Sequence, residues 1–202
     1  NIIAVMGGTT MAVVAEQLSN LENKKRHNLF VPARGGIGEA ITVQANSVSA
    51  RMAAKANGNH RALYVPEQLS LATYNSLLNE PSIQEVLNLI SEANCVIHSI
   101  GRALHMAARR KMTEKELVML KQANAVAESF GYFFNEKGEV VYKVPRIGIE
   151  LQDLAKVPII MAIAGGKSKA KAIRAYMKNA PKQTWLITDE AAANEILKGV
   201  TL

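Results

Sequence analysis

Short, continuous runs of apolar residues alternate along the chain with segments of helical spacing. The first run, residues 2–6, ends at Gly7-Gly8 and is followed by a helical pattern over residues 11–18. A comparable run over residues 158–164 ends at Gly165-Gly166 and leads into a basic helical segment. Continuous apolar runs are typical of strands buried on both faces of a parallel sheet. The alternation therefore predicts an α/β fold in which a mostly parallel sheet has helices on both faces.

The remaining elements continue this alternation, with one exception. Further strands are predicted at residues 29–31, 61–65, 95–99 and 184–188, and further helices at residues 44–57, 69–78, 83–93, 113–123 and 190–197. The exception is a pattern of period two over residues 128–134 and 139–142, which predicts a β-hairpin and hence a mixed sheet. The segment 102–121 is the expected boundary of a small subdomain or lid within a single domain that covers residues 1–202.

The composition is that of an ordinary globular protein, with 49% hydrophobic and 20% charged residues. No apolar run approaches the roughly 20 residues that a membrane-spanning helix needs, so no membrane association is expected. The single cysteine, Cys95, has no partner for a disulfide, which favours a reducing compartment and hence the cytoplasm. The chain begins directly on a strand and lacks the features of a signal peptide, so we expect a missing segment upstream of residue 1.

The net charge of +7 bears on the classes of partner that the chain could bind. Basic residues concentrate at 24–26, within 102–121 and within 167–178, a surplus that suits nucleic acid, anionic ligands or plain solvation. Aromatic residues make up only 5% of the chain and stand apart from these clusters, and the sequence has no helix-turn-helix or zinc motif. Direct binding of DNA or RNA by this segment is therefore not expected.

The first glycine turn predicts an anion site. Gly7 and Gly8 let the backbone approach a ligand closely, and Thr9 and Thr10 add two hydroxyl groups at the start of a helix. Unpaired N–H groups and the positive end of the helix dipole converge at such a point and favour a phosphate. The alternative is a tight turn in which a threonine caps the helix.

The second glycine turn carries a lysine, Lys167, at the start of its helix. A Walker A loop is excluded, because that motif requires a glycine where Met161 stands. A lysine at a helix N-terminus opposes the dipole, which makes better sense if an anion lies between them. Because both turns follow strands of one sheet, they suggest a shared site for a phosphorylated small molecule. The alternative is a solvated basic helix.

Two further charged residues are candidates for the same site. Arg34 precedes a glycine-rich segment that fails the dinucleotide fingerprint at Ile41, and we interpret it as a mobile loop whose arginine captures a phosphate or is ordinary surface charge. Glu128 interrupts an apolar run and is either a solvent-facing strand residue or, if it points inward, an acceptor for sugar hydroxyls or a general base. The four histidines lack the spacing of metal ligands, so no metal site is expected.

Several motifs in combination resemble the effector-binding domain of the SorC/DeoR family of bacterial transcription regulators. They are GGTT at 7–10, SIG at 99–101, GYFFNEKGEVV at 131–141, AIAGGKSKAKAIRAYMK at 162–178 and LITDEAAANEIL at 186–197. The resemblance covers essentially the whole chain. It implies a Rossmann-like fold similar to glucosamine-6-phosphate deaminase and ribose-5-phosphate isomerase, without required catalysis. It also implies an N-terminal helix-turn-helix domain before residue 1, through which alone DNA is bound.

The resemblance further implies a ligand and its site. The ligand class is phosphorylated sugars, and for repressors of glycolytic genes it is fructose 1,6-bisphosphate. One phosphate is expected at Gly7, Gly8, Thr9, Thr10 and Lys167, the second at Arg34, Gln44 and Arg109, and the sugar at Glu128, with Gly101 completing the ligand-binding set. No catalytic residue, metal or cofactor is expected, and the domain is expected to form a homo-oligomer, a dimer or a tetramer.

Two other functions stay open at this point. The first is a sugar-phosphate isomerase or deaminase that uses Glu128 as the base and Lys167 as an electrostatic stabiliser or Schiff-base lysine. The sequence places no histidine or pair of acids beside Lys167, which speaks against this enzyme. The second is a purely structural oligomerisation domain that binds no sugar phosphate.

Overall fold

The computed structural model describes residues 1–19, 27–36, 40–66 and 69–198. Its strands are β1 (Ile2–Val5), β2 (Leu29–Pro32), β3 (Asn59–His60), β4 (Cys95–Ser99), β5 (Gly101–Arg102), β6 (Ala125–Ser129), β7 (Tyr132–Asn135), β8 (Val140–Lys143), β9 (Ile159–Ile163) and β10 (Thr184–Ile187). Its α-helices are α1 (Thr9–Gln17), α2 (Ala45–Lys55), α3 (Leu71–Leu78), α4 (Pro81–Ser91), α5 (Ala103–Arg109), α6 (Glu114–Gln122), α7 (Ala170–Met177) and α8 (Glu190–Leu197). Short 3₁₀ helices occur at Ile41–Val43, Leu151–Lys156 and Lys167–Lys169.

Two sheets organise these elements. A six-stranded parallel sheet has the order β10-β9-β4-β1-β2-β3, and a four-stranded antiparallel sheet has the order β5-β6-β7-β8. The predicted α/β architecture, a parallel sheet flanked by helices, is confirmed. By its internal contacts the chain divides into two compact units. Unit 1 comprises Asn1–His98 and Pro145–Met161, and unit 2 comprises Ser99–Val144 and Ala162–Leu202. That residues 1–202 act as one effector-binding domain stays a prediction.

The core of unit 1 forms around β1. This strand pairs in parallel with β2 on one side and β4 on the other, with Ile3 in register with both Phe30 and Cys95. Ala4 and Val5 are fully buried, as expected for a strand flanked on both sides. In the described residues no helix is long and apolar enough to cross a bilayer.

The predicted strand at 61–65 is wrong, because β3 covers only Asn59–His60. The side-chain amide of Asn46, on α2, binds both backbone groups of Leu63: its Nδ2 donates to the Leu63 carbonyl and its Oδ1 accepts from the Leu63 N–H, each at 2.9 Å. A helix side chain thus takes the groups that a strand would offer to its neighbour. Leu63 is still buried, which accounts for the apolar pattern.

In unit 2 the predicted long strand over 128–134 is two strands. Phe130 and Gly131 have φ angles of 55° and 80°, which turn the chain back so that β6 and β7 pair as a first hairpin. β7 and β8 then form a second hairpin, the one that the sequence predicts around residues 135–138. The expectation of a mixed sheet is wrong, since these strands form a separate antiparallel sheet with β5. Helix α7 packs on β6.

Candidate functional site

The first glycine turn lies in unit 1, between β1 and α1. Gly8 is the N-cap of α1, with a φ of 121°, so the alternative in which a threonine caps this helix is wrong: Thr9 and Thr10 lie in its first turn. The Gly8 N–H donates to the Val43 carbonyl at 2.7 Å and is therefore engaged within the protein. The groups that this turn can offer an anion are consequently the first N–H groups of α1.

Gly7 is a glycine because another stretch of backbone passes against it. A Cβ atom at Gly7 would lie 2.6 Å from the Val43 carbonyl oxygen and 2.7 Å from the Ala45 nitrogen. The same contact brings the turn next to Gln44, which lies between those two residues and is also a predicted ligand residue. Unit 1 therefore brings together Gly7, Gly8 and Gln44.

We expect Gly7→Ala to destabilise the folded chain by about 2 kcal/mol, because both clashing atoms belong to the backbone and cannot swing away. Gly36→Ala is the matched control: its Cβ would meet nothing closer than 3.7 Å, so its effect should stay within about 0.5 kcal/mol. Urea unfolding of both variants measures the difference. Equal stability of the two variants would contradict the proposed close packing.

Arg34 is buried, with only 2% of its surface exposed, so it is not ordinary surface charge. Its backbone forms an antiparallel bridge with Gly148, and the following N–H, that of Gly35, donates to the Ile147 carbonyl at 2.9 Å. The expectation of a mobile loop is wrong for Arg34 itself, while residues 37–39 of the predicted loop lie outside the described residues. A buried guanidinium is stable only where hydrogen bonds or an opposite charge compensate it.

The arginine segment also approaches Gln44. A Cβ atom on Gly36 would lie 3.7 Å from the Gln44 side-chain oxygen, Oε1. Because Gly7 contacts the backbone on either side of Gln44, this glutamine links the glycine turn to the segment that carries Arg34. Six of the predicted ligand residues thus belong to one region of unit 1, namely Gly7, Gly8, Thr9, Thr10, Arg34 and Gln44.

The second glycine turn lies in unit 2. Gly166, with a φ of 92°, donates its N–H to Oδ2 of Asp189 at 2.5 Å, while Oδ1 of Asp189 accepts from the Ala192 N–H and caps α8. Lys167 begins a 3₁₀ helix, and α7 starts only at Ala170. The Lys167 side chain is 70% exposed, and its Nζ lies 3.8 Å from a carboxylate oxygen of Glu195.

Lys169 occupies a different environment, which sequence reasoning missed. Burial lowers the pKa of the Lys169 ammonium, and the positive charges of Arg102 and Arg109 lower it further. Three basic side chains therefore lie close enough to affect one another. In a 3₁₀ helix successive residues are about 120° apart, so Lys167 and Lys169 point in different directions. The difference between their environments therefore depends on this local geometry, which the sequence did not reveal.

A cleft of about 310 Å³ adjoins this basic group within unit 2. Its polar lining includes Arg102, His105, Ser168 and Lys171. This volume is at the lower end of the range for small-molecule sites. The sequence predicted Arg109 as a ligand residue, and the structure adds Arg102 and Lys169 to its surroundings.

Glu128 has a structural role that the sequence did not predict. It is 4% exposed, and its Oε1 accepts hydrogen bonds from Arg110 Nη2 at 2.8 Å and from the Gly131 N–H at 2.6 Å. The carboxylate thus compensates a buried guanidinium and fixes the β6–β7 turn. Gly101, on β5, pairs opposite Glu128. A contact between Glu128 and a sugar hydroxyl stays a prediction.

Other reactive groups offer little for catalysis. Burial raises the pKa of the Cys95 thiol to about 11, which keeps it protonated and unreactive at neutral pH. Among the described residues, no group of three or more His, Cys, Asp or Glu could hold a metal ion.

The sequence match identifies the class of protein. The Sugar-bind family model, a sugar-binding domain, matches residues 1–198. The chain belongs to this family, the sugar-binding domains of SorC/DeoR-type transcription regulators, and the predicted family is confirmed.

Particular relatives refine this assignment. The chain is 50% identical over 198 residues to the central glycolytic genes regulator of Bacillus subtilis and, equally, to the protein of the same name from Priestia megaterium. These matches cover 98% of this chain but only 58% and 57% of those proteins, so the chain spans less than three fifths of their length.

A solved structure agrees with both the class and the fold. A SorC family transcriptional regulator from Enterococcus faecalis is 79% identical, with a TM-score of 0.92, over 98% of this chain and 80% of that chain. These relatives are transcription regulators and not enzymes, as the sequence predicted for this chain.

Proposed function

We propose that the chain is the ligand-sensing and oligomerisation domain of a bacterial transcriptional repressor of glycolytic genes, and that it binds a phosphorylated sugar. The two regulators that are half identical over nearly the whole chain support the link to glycolytic genes. DNA is bound by a helix-turn-helix domain that precedes residue 1 in the full protein, which acts in the cytoplasm as a homo-oligomer.

One observation carries the choice of a phosphorylated ligand. Unit 2 gathers Lys169, Arg102 and Arg109: burial lowers the pKa of Lys169, and the like charges of the two arginines lower it further. Like charges held together in a partly buried place favour an anion that relieves the repulsion. A phosphate ester supplies that charge, and it accepts charge-assisted hydrogen bonds from lysine and arginine.

The best candidate is fructose 1,6-bisphosphate, because the proposed ligand residues include several basic side chains, Arg34, Arg109 and Lys167. In this proposal the ligand residues are those expected from the sequence: Gly7, Gly8, Thr9, Thr10, Arg34 and Gln44 in unit 1, and Gly101, Arg109, Glu128 and Lys167 in unit 2. To these we add Arg102 and Lys169, since they share the environment of Arg109. A second phosphate adds charge-assisted hydrogen bonds to lysine or arginine, which favours bisphosphates over monophosphates.

The proposed mechanism is a shift of population. A ligand that binds one conformation more tightly than another shifts the equilibrium by its differential affinity alone. In the full repressor that shift changes contacts between subunits and hence the spacing of the DNA-binding domains, which must match the half-sites of the operator.

Incubation with ribose 5-phosphate, glucosamine 6-phosphate and fructose 1,6-bisphosphate separates this sensor from an enzyme. We expect binding, seen as a rise in thermal midpoint, without any product by chromatography. Because Glu128 is held by Arg110 and Gly131, it is poorly available as a base. Turnover above the uncatalysed rate would refute the sensor, and the absence of a thermal shift with all three sugars would indicate a purely structural domain.

A further inference from the structure

The carboxylate of Asp189 lies against the second glycine turn, residues 165–169, which joins β9 to α7. Strands β9 and β10 are neighbours in the sheet, and the Ala164 N–H donates to the Ile187 carbonyl at 3.1 Å where both strands end. Asp189 follows β10 by two residues, and its Oδ2 accepts the Gly166 N–H at 2.5 Å. The backbone of this turn therefore already binds an anion, one that belongs to the chain itself.

Both glycines of the turn are explained by contacts within the chain. A Cβ atom on Gly165 would clash with Oδ2 of Asp189, so a glycine at this position lets the carboxylate approach. Gly166 has a φ of 92°, in the left-handed region that glycine adopts without strain, and a Cβ atom there would meet nothing within 4 Å. The first glycine thus makes room for Asp189, and the second allows the turn.

Gly166 connects Asp189 to Lys169. Its carbonyl accepts the Lys169 N–H at 2.9 Å, the hydrogen bond that closes the 3₁₀ turn. Because the turn fixes the direction of each of its side chains, the orientation of Lys169 depends on that of the Gly166 peptide groups. Lys169 is half-buried, and the positive charges of Arg102 and Arg109 act on its ammonium group.

Asp189 is in turn fixed by helix α8. It is the N-cap of this helix, and its Oδ1 accepts the Ala192 N–H at 2.8 Å. Both carboxylate oxygens are therefore engaged, one by the helix and one by the glycine turn. A cap needs only one oxygen, and asparagine or serine supplies it about as well as aspartate. The second oxygen is the one that the turn requires.

We propose that Asp189 is a positioning residue of the ligand site: by holding the Gly166 N–H, it fixes the 3₁₀ turn that directs Lys169 toward the two arginines. This inference rests on the proposed function, in which Lys169 contacts a phosphate of the ligand. The opposite role is a carboxylate that competes with the phosphate for the turn. Positioning predicts that loss of the Gly166 contact weakens ligand binding, whereas competition predicts that it strengthens binding.

Asp189→Asn separates the two contacts of this side chain. Asparagine keeps one acceptor oxygen for the Ala192 N–H and so still caps α8, but its amide nitrogen cannot accept from the Gly166 N–H. We expect the affinity for fructose 1,6-bisphosphate to fall about tenfold in a calorimetric titration. The thermal midpoint of the ligand-free variant checks that the chain still folds.

Asp153→Asn is the matched control, because Asp153 is the only other aspartate of the chain and also belongs to a 3₁₀ helix. Its partner is Lys156, at 3.1 Å, and neither residue is among the proposed ligand residues. The variant removes the same charge as Asp189→Asn, so it reveals any effect of net charge on the binding of an anion. We expect its affinity to equal that of the wild type.

A double-mutant cycle tests whether Asp189 acts through Lys169. If it does, Asp189→Asn should change the affinity by less than about twofold in a chain that already carries Lys169→Ala. A general loss of structure would instead lower the affinity by the same factor in both backgrounds.

The outcomes distinguish this inference from the proposed function. A wild-type chain that binds no sugar phosphate would overturn both. If the wild type binds and Asp189→Asn binds as tightly or more tightly, only the positioning role of Asp189 is overturned. A tenfold loss that persists in the Lys169→Ala background would also overturn it, because Asp189 would then act independently of Lys169.

Discussion

Lys169→Ala should weaken binding of fructose 1,6-bisphosphate about tenfold to a hundredfold, the effect of losing a charge-assisted hydrogen bond to a phosphate. The Lys169 ammonium is partly desolvated and lies near Arg102 and Arg109, so its charge is screened less than that of a surface lysine. Titration calorimetry at constant ionic strength measures the change directly.

Lys156→Ala is the matched control for this experiment. Lys156 also lies in a 3₁₀ helix, but its side chain is 77% exposed, it pairs with Asp153 and it is outside the proposed ligand residues. Exposed charges contribute little, so we expect no measurable change in affinity. If Lys156→Ala reduced affinity as much as Lys169→Ala, the effect would reflect the overall charge of the chain and not a phosphate site at Lys169.

The pH dependence of fructose 1,6-bisphosphate affinity is a second test of the role of Lys169. An anion favours the protonated form of Lys169, whose pKa in the free protein is lowered. Affinity should therefore fall as the pH rises through that lowered pKa, before exposed lysines lose their protons. The decline should be absent in Lys169→Ala.

Glu128→Ala should be the most destabilising single change, with a loss of about 3–5 kcal/mol in the free energy of unfolding. The variant leaves the Arg110 guanidinium, which is 5% exposed, without its carboxylate, and it removes the acceptor of the Gly131 N–H in the β6–β7 turn. Urea unfolding of the ligand-free chain measures the loss.

Glu136→Ala is the control for this second prediction. Glu136 also pairs with a basic residue, Lys171, but both side chains are exposed, so its loss should be hard to detect. If Glu128→Ala instead retained its stability and lost only affinity for the sugar, Glu128 would act on the ligand alone, and its proposed role in stabilising the hairpin would be wrong.

The structural features that the sequence predicts well are those that depend on residues close together along the chain. The run Ile2–Val5 is apolar at nearly every position, so a strand buried on both faces follows without knowledge of its partners. The glycines after it and the Asp189 cap of α8 are also local features. For the same reason the parallel sheet and most helices were predictable.

Most errors of the sequence-based prediction come from contacts between residues that are distant along the chain. Leu63 lies in an apolar segment, but Asn46 takes its backbone groups, and no local pattern shows this. Glu128 meets Arg110 across 18 positions, which gives it a structural partner that the sequence did not reveal. Phe130 adopts a φ of 55°, rare for a bulky residue, and thereby divides the predicted strand.

In the candidate site, it was easier to predict which residues are candidates than how buried their side chains are and which charges lie near them. Arg34 was recognised as a candidate, yet its burial depends on the bridge to Gly148, which is far away in the sequence. The choice between Lys167 and Lys169 depends on a 3₁₀ turn where the sequence suggested a continuous helix. Electrostatic neighbours such as Arg102 become evident only once the chain is folded.

The most direct test of the central claim is a calorimetric titration of the wild-type chain with fructose 1,6-bisphosphate, fructose 6-phosphate and fructose. We expect the bisphosphate to bind most tightly, the monophosphate at least tenfold more weakly, about 1.4 kcal/mol, and the free sugar not measurably. Fructose binding as tightly as its phosphates, or no heat of binding with any of the three, would contradict the account.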